Sequence, residues 1–258
     1  MSESLKVGYL QFNIAWENKK RNIHTIENYL KFLSSDCDVL ILPEMFSTGF
    51  SMNAANLAED EYGETISWMQ STALSYNIVL SGSIIFKDGH YFRNRLIWVQ
   101  PDGKIKYYDK RHLIALSGED KHYTKGIKRE IFEYKSWKFF PSICYDLRFP
   151  AWFTNNLDYD VIINVANWPA IRAKHWKVFL KSRAIENQSY LIGVNRVGTD
   201  EKGFNYRGES AIIDFNGKTL EQSYDSMGIF YAGLRKNNLV DFRNKYPFLK
   251  DQDHIRIL

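Results

Sequence analysis

The chain has 258 residues and a formal charge of +4, from 34 lysines and arginines against 30 acidic residues; the charges are scattered, without the basic stripe that nucleic acid needs, so no nucleic-acid partner is expected. No apolar run reaches the length of a membrane span, and the first residues lack a charged-then-apolar signal pattern. The two cysteines can build neither a disulfide framework nor a zinc site. A cytoplasmic, soluble protein with free thiols is expected, folded as one domain over residues 1–258 and without membrane contact.

Residues 5–12 alternate apolar and polar side chains as a strand does, so structure is expected to begin at once, without a leader. Ile23, Ile26, Leu30 and Leu33 recur three or four apart and mark an amphipathic helix over 16–33. The run Val39-Leu40-Ile41-Leu42 reads as a fully buried strand ended by Pro43 and Glu44; strand, helix and strand imply a parallel pair. A second helix over 61–76 and a strand over 78–86 follow. Hairpins come next, turned at Lys87-Asp88-Gly89-His90 and Pro101-Asp102-Gly103-Lys104, with strands over 91–100 and 105–109. After a loop over 110–126 come a short strand near Ile131, an aromatic and β-branched strand over 137–143, and a third apolar strand over 160–165. A helix over 173–186 leads into a strand over 190–196. Asn216-Gly217 turns a last hairpin before a strand over 228–234. Strand–helix–strand units mixed with hairpins point to an α/β architecture of mixed sheets covered by helices.

Glu44, Lys110 and Cys144 each follow directly on a predicted strand, and strand ends are where open α/β sheets build their sites. Singly, each has an ordinary reading: Glu44 as a solvated or capping carboxylate, Lys110 as a surface partner of Asp109 or Asp146, Cys144 as a buried thiol. Together they supply a nucleophile, a proton carrier and a positive charge, a complete set for acyl transfer. Residues 145–156 can begin a helix or helical turn. Cys144 would then lie near unpaired N–H groups and the positive end of a helix dipole, both of which favour thiolate.

Three stretches, Leu42-Pro43-Glu44-Met45-Phe46, Tyr108-Asp109-Lys110-Arg111-His112-Leu113 and Cys144-Tyr145-Asp146-Leu147-Arg148-Phe149-Pro150, resemble the motifs of the nitrilase superfamily of carbon–nitrogen hydrolases. Val165-Ala166-Asn167-Trp168-Pro169, Arg183-Ala184-Ile185-Glu186-Asn187-Gln188 and Gly193-Val194-Asn195-Arg196-Val197-Gly198 look most like its omega-amidase branch. The resemblance implies a four-layer α-β-β-α sandwich with the site at one end of the sheets. It implies Cys144 as nucleophile, Glu44 as general base and then acid, and Lys110 as stabiliser of the tetrahedral intermediate beside the Tyr145 backbone N–H. A second glutamate falls on Glu119, with Asp120 as the adjacent alternative.

The implied activity is a thiol-dependent amidase that needs no metal or cofactor and acts on short dicarboxylic acid monoamides of the 2-oxoglutaramate or succinamate type. The far carboxylate of such a substrate calls for a cation, and Arg148 and Arg172 are the candidates; Arg148 reads equally well as a partner of Asp146. Trp168 and Trp176 read as pocket walls or as core. His112, His122 and His175 are not needed by the trio, and Cys37 reads as a core thiol. The end of the chain, 242–258, is too apolar for a free tail, and the resemblance implies that it packs across a homodimer. A nitrilase or carbamoylase using the same trio, and a non-catalytic binding protein on the same fold, are the alternative readings.

Overall fold

A computed structural model describes residues 4–253 and 255. The described residues form two six-stranded mixed sheets. In spatial order the first holds Gly228–Arg235, Ser4–Gln11, Val39–Ile41, Val79–Asp88, Tyr91–Val99 and Ile105–Asp109; the second holds Thr219–Gln222, Ala211–Ile213, Tyr190–Asn195, Val161–Ala166, Trp137–Ile143 and Phe132–Tyr134. Three neighbouring strands run parallel in each. Val7 stands opposite Val39 and Val39 opposite Val79 in the first sheet, and Phe139 opposite Val161 and Val161 opposite Tyr190 in the second. Antiparallel strands flank both sets.

Period-two alternation decides which side chains meet between the sheets. Val7, Tyr9, Val39, Ile41, Leu96 and Trp98 join Phe139, Ile143, Val161 and Ile163 in one core. Their neighbours Leu10, Leu40, Leu80, Ile97 and Val99 face the other way and pack on Ile26, Leu30, Ile66, Met69 and Ala73 of two helices, Lys19–Leu30 and Glu64–Tyr76. On the second sheet, Gly193 lies bare under the helix Ala173–Glu186, where a Cβ would stand 2.5 Å from Leu180 Cδ2. The layers are therefore helix, sheet, sheet, helix.

Two elements differ from expectation for identifiable reasons, and a third takes the shorter of the two forms expected, helical turns in place of a helix. The first helix begins at Lys19 because the Asn18 side chain accepts the Arg21 N–H at 3.0 Å and caps it there. Residues 145–156 are not one helix: a 3-10 segment, Cys144–Arg148, gives way to the short helix Pro150–Phe153, because Pro150 pushes the preceding residue out of helical geometry. Near the C-terminus a helix not foreseen in the sequence, Lys236–Lys245, buries Leu239 in the core, and Arg243 donates to the carbonyls of Gln188 (2.9 Å) and Tyr159 (2.7 Å). Of the apolar end 255–258, only Ile255 is described; the remainder lies outside the described residues. Among the described residues no helix is long and apolar enough to cross a membrane.

The topology brings strand ends of both sheets together. Glu44 follows Val39–Ile41, Lys110 follows Ile105–Asp109, Cys144 follows Trp137–Ile143, and Asn167 follows Val161–Ala166. The loop after Lys110 returns to its starting point at Gly126, whose N–H donates to the Lys110 carbonyl at 2.8 Å. Glycine is required there, since a Cβ would lie 2.8 Å from Asp109 Cβ and closer still to the Asp109 carbonyl.

Candidate active site

Lys110 is buried between two carboxylates. Its Nζ stands 2.9 Å from Glu44 Oε1 and 2.8 and 3.0 Å from Glu119 Oε1 and Oε2, and all three side chains are out of solvent. The surface pairing of Lys110 with Asp109 or Asp146 does not form: Asp109 is held by Arg95, and Asp146 by other donors. Of the two adjacent acids in the loop, Glu119 turns inward and Asp120 is exposed. Burial opposes the Lys110 charge, but Glu119 and Glu44 outweigh it and hold the ammonium above the usual lysine range. For Glu119 burial dominates and pushes the carboxyl up, against the pull of Lys110.

Each carboxylate has further donors. Glu44 Oε1 accepts Asn94 Nδ2 at 2.7 Å and Glu44 Oε2 accepts the Asn167 N–H at 2.7 Å, while Asn167 Nδ2 reaches the Glu44 carbonyl at 2.6 Å. Glu119 Oε2 accepts the Ile114 N–H at 2.7 Å. The Phe50 ring, 5.1 Å from Lys110 Nζ, adds a cation–π contact.

Cys144 sits at the strand-to-turn junction with φ 45°, a left-handed conformation that costs a non-glycine residue about 1–3 kcal/mol. Such strain aims a side chain into a cleft. The expected help from a helix dipole is weak, because Cys144 opens a single 3-10 turn with little dipole to offer. The thiolate is further disfavoured by its surroundings: burial, and then the Glu44 charge, push the Cys144 thiol well up, against the opposing effect of Lys110. Burial and the Glu44 charge together favour the thiol over the thiolate. Tyr145 lies in the first turn of the 3-10 segment, where backbone N–H groups find no partner inside the helix.

A cavity of about 260 Å³ opens from Cys144, lined by Ile114, Leu116, Tyr145, Arg148, Asn167, Trp168, Pro169 and Arg172. It is smaller than the roughly 300–1,000 Å³ of drug-sized sites, so it suits a short substrate. Arg148 does not pair with Asp146; its guanidinium lies 4.9 Å from the Trp168 ring centroid and 5.4 Å from that of Phe179, with His175 Nδ1 at 3.3 Å. Among the described residues neither Arg148 nor Arg172 forms an ion pair. Trp168 walls the cavity, its N–H and carbonyl pinned by Asn195 at 2.8 and 3.0 Å. Trp176 belongs to the core instead and donates to the Glu209 carbonyl at 2.8 Å. Among the described residues no group of three or more His, Cys, Asp or Glu is placed to hold a metal ion.

A sequence profile described as carbon-nitrogen hydrolase matches residues 6–244. The chain belongs to the carbon–nitrogen hydrolase family. It is 41% identical to the omega-amidase YafV of Yersinia enterocolitica over 99% of each chain, and 31% identical to a 2-oxoglutaramate amidase of Bacillus subtilis over 95% of this chain and 96% of that one. A CN-hydrolase superfamily protein of Xanthomonas campestris, with an arsenic adduct in its active site, superposes with a TM-score of 0.97 at 35% identity, covering 99% of this chain and 100% of that one.

Two residues of this carbon–nitrogen hydrolase site, Asn94 and Asn167, are missing from the candidates read from the sequence. Asn94 is legible in principle: on the strand over 91–100 it shares the inward face with Leu96 and Trp98, and a polar residue on a buried face needs a partner. Asn167 lies inside one of the stretches that carry the resemblance, but nothing local shows that its N–H meets Glu44 from the other sheet.

Iodoacetamide consumes thiolate, so its rate at Cys144 is expected to keep rising about tenfold per pH unit through about pH 9, and a plateau below about pH 8 would contradict the raised pKa. Glu44→Gln removes an anion and moves the curve to lower pH; Lys110→Gln removes the cation and moves it higher. Cys144→Ser supplies the background from Cys37, whose thiol burial pushes up to about 12.

Proposed function

We propose that this carbon–nitrogen hydrolase is an omega-amidase, which hydrolyses the terminal amide of short dicarboxylic acid monoamides such as 2-oxoglutaramate and succinamate. One observation carries the reading: the cavity that ends on Cys144 is small and carries two guanidiniums, Arg148 and Arg172, with no carboxylate of their own. A substrate with an amide at one end and a carboxylate at the other fits that polarity. The relatives named omega-amidase and 2-oxoglutaramate amidase, matched over nearly the whole chain, support it.

In the proposed cycle the amide carbonyl lies over Cys144. As the sulfur attacks the carbonyl carbon, its proton passes to Glu44, which resolves the problem of an unfavourable resting thiolate. The oxyanion gathers beside the Lys110 ammonium and the Tyr145 N–H, and Glu119 holds Lys110 there. The C–N bond breaks as Glu44 gives its proton to nitrogen, and ammonia leaves a thioester on Cys144. Glu44 then deprotonates a water molecule, which attacks the thioester through a second oxyanion in the same place. The C–S bond breaks, the thiol regains its proton, and the dicarboxylic acid departs.

We also infer a homodimer in the cytoplasm. Phe248 is exposed and stacked on Tyr246, and Ile255 is exposed beyond it, which supports a face for a second copy; two free cysteines fit a reducing compartment. Sedimentation should give about twice the chain mass, and the mass of one chain would exclude the dimer.

Wild-type protein is expected to release ammonia from 2-oxoglutaramate and succinamate, and Cys144→Ala is expected to release none. Arg148→Gln or Arg172→Ala should raise KM for succinamate about 10- to 100-fold, the worth of a charged hydrogen bond, with little change for uncharged butyramide. Equal effects on both amides would remove the carboxylate assignment. No ammonia from wild type would turn attention to nitriles and carbamoyl compounds.

A further inference from the structure

We infer that Asp146 is the positioning residue that fixes Lys110 against Cys144, because one buried carboxylate gathers the two strand ends that carry them. Asp146 is fully buried. Its Oδ2 accepts the Ile143 N–H at 2.9 Å and the Tyr108 hydroxyl at 2.7 Å. Its Oδ1 accepts the His112 N–H at 2.9 Å and lies 2.7 Å from His112 Nδ1. Tyr108 and His112 stand two residues on either side of Lys110, and Ile143 immediately precedes Cys144. Four contacts on one carboxylate therefore bracket both groups.

The placement matters because Lys110's own hydrogen bonds reach the second sheet only at one remove, through Glu44 and the Asn167 N–H. Its partners, Glu44 and Glu119, both come from the first sheet and its loops, whereas Cys144 ends a strand of the second. Asp146 spans that gap. Its bond to the Ile143 N–H ties it to the end of the strand that carries Cys144. His112 has one orientation to offer, stacked on Phe149 at 3.9 Å between ring centroids with its edge relation to Trp152 at 5.7 Å. The pair is thus a rigid strut and not a mobile surface contact.

The inference rests on the roles proposed above for Lys110 and Cys144. Asp146→Asn keeps the shape, but its amide nitrogen cannot accept, so the donors on that side lose their partner. A displacement of about 1 Å at a reacting group costs on the order of 100-fold, so kcat should fall about 10- to 100-fold while KM stays within about twofold. The distinguishing readout is a double-mutant cycle: Asp146→Asn combined with Lys110→Gln should be scarcely slower than Lys110→Gln alone, since misplacing an absent ammonium has no further effect. Tyr108→Phe removes a single donor and should show the same non-additivity on a smaller scale, and it keeps the test intact if Asp146→Asn does not fold. Losses that multiply, or a rise in KM at unchanged kcat, would overturn the positioning role. Wild type that releases no ammonia would instead overturn the amidase reading.

Discussion

The buried Lys110 ammonium, gripped by Glu44 and Glu119, is the constraint on which the rest of the site depends. Removing an ion from water costs several kcal/mol even after relaxation, and three such groups share one dry cleft. The arrangement persists because each group is supplied with partners: Asn94 and the Asn167 N–H for Glu44, the Ile114 N–H for Glu119, and the two carboxylates for Lys110. Those partners come from four separate segments: the strand Tyr91–Val99, the loop after Lys110, and the ends of Val39–Ile41 and Val161–Ala166. The two sheets must therefore face each other with their strand ends in register, and the sandwich is the frame that achieves it.

The same cluster dictates how the sulfur can react. Burial and then the Glu44 charge disfavour the thiolate of Cys144, against the opposing pull of Lys110. A nucleophile in that state needs a base at the moment of attack. In the proposed cycle Glu44, from the same cluster, takes the thiol proton and passes it on to the leaving nitrogen. On that proposal the strain at Cys144 and the clamp at Asp146 serve geometry, while Glu44 and Lys110 manage charge.

Much of this is legible in the sequence because the informative residues lie at the ends of short apolar runs. Val39 to Leu42 and Trp137 to Ile143 are buried on both faces, so their ends stand out, and with them Glu44 and Cys144. The choice between Glu119 and Asp120 is not legible, since both acids occupy the same stretch and only the folded chain brings Lys110 and the Ile114 N–H onto Glu119. The state of Cys144 is hidden for a similar reason. A local pattern suggests a helix dipole and a thiolate, but Pro150 cuts the helix short, and the decisive charges come from residues about 100 and 34 positions away in the chain. The helix Lys236–Lys245 leaves little signal because its sequence is mostly polar and only Leu239 is driven into the core.

The most direct test of the central claim, that Cys144 carries the acyl group, is rapid acid quench of wild-type protein turning over 2-oxoglutaramate, with mass spectrometry of the peptide containing Cys144. That peptide should carry the acyl group of the substrate, removable by hydroxylamine, while the peptide containing Cys37 stays unmodified. Steady ammonia release with no adduct on Cys144, even when quenched on the timescale of a single turnover, would contradict the account.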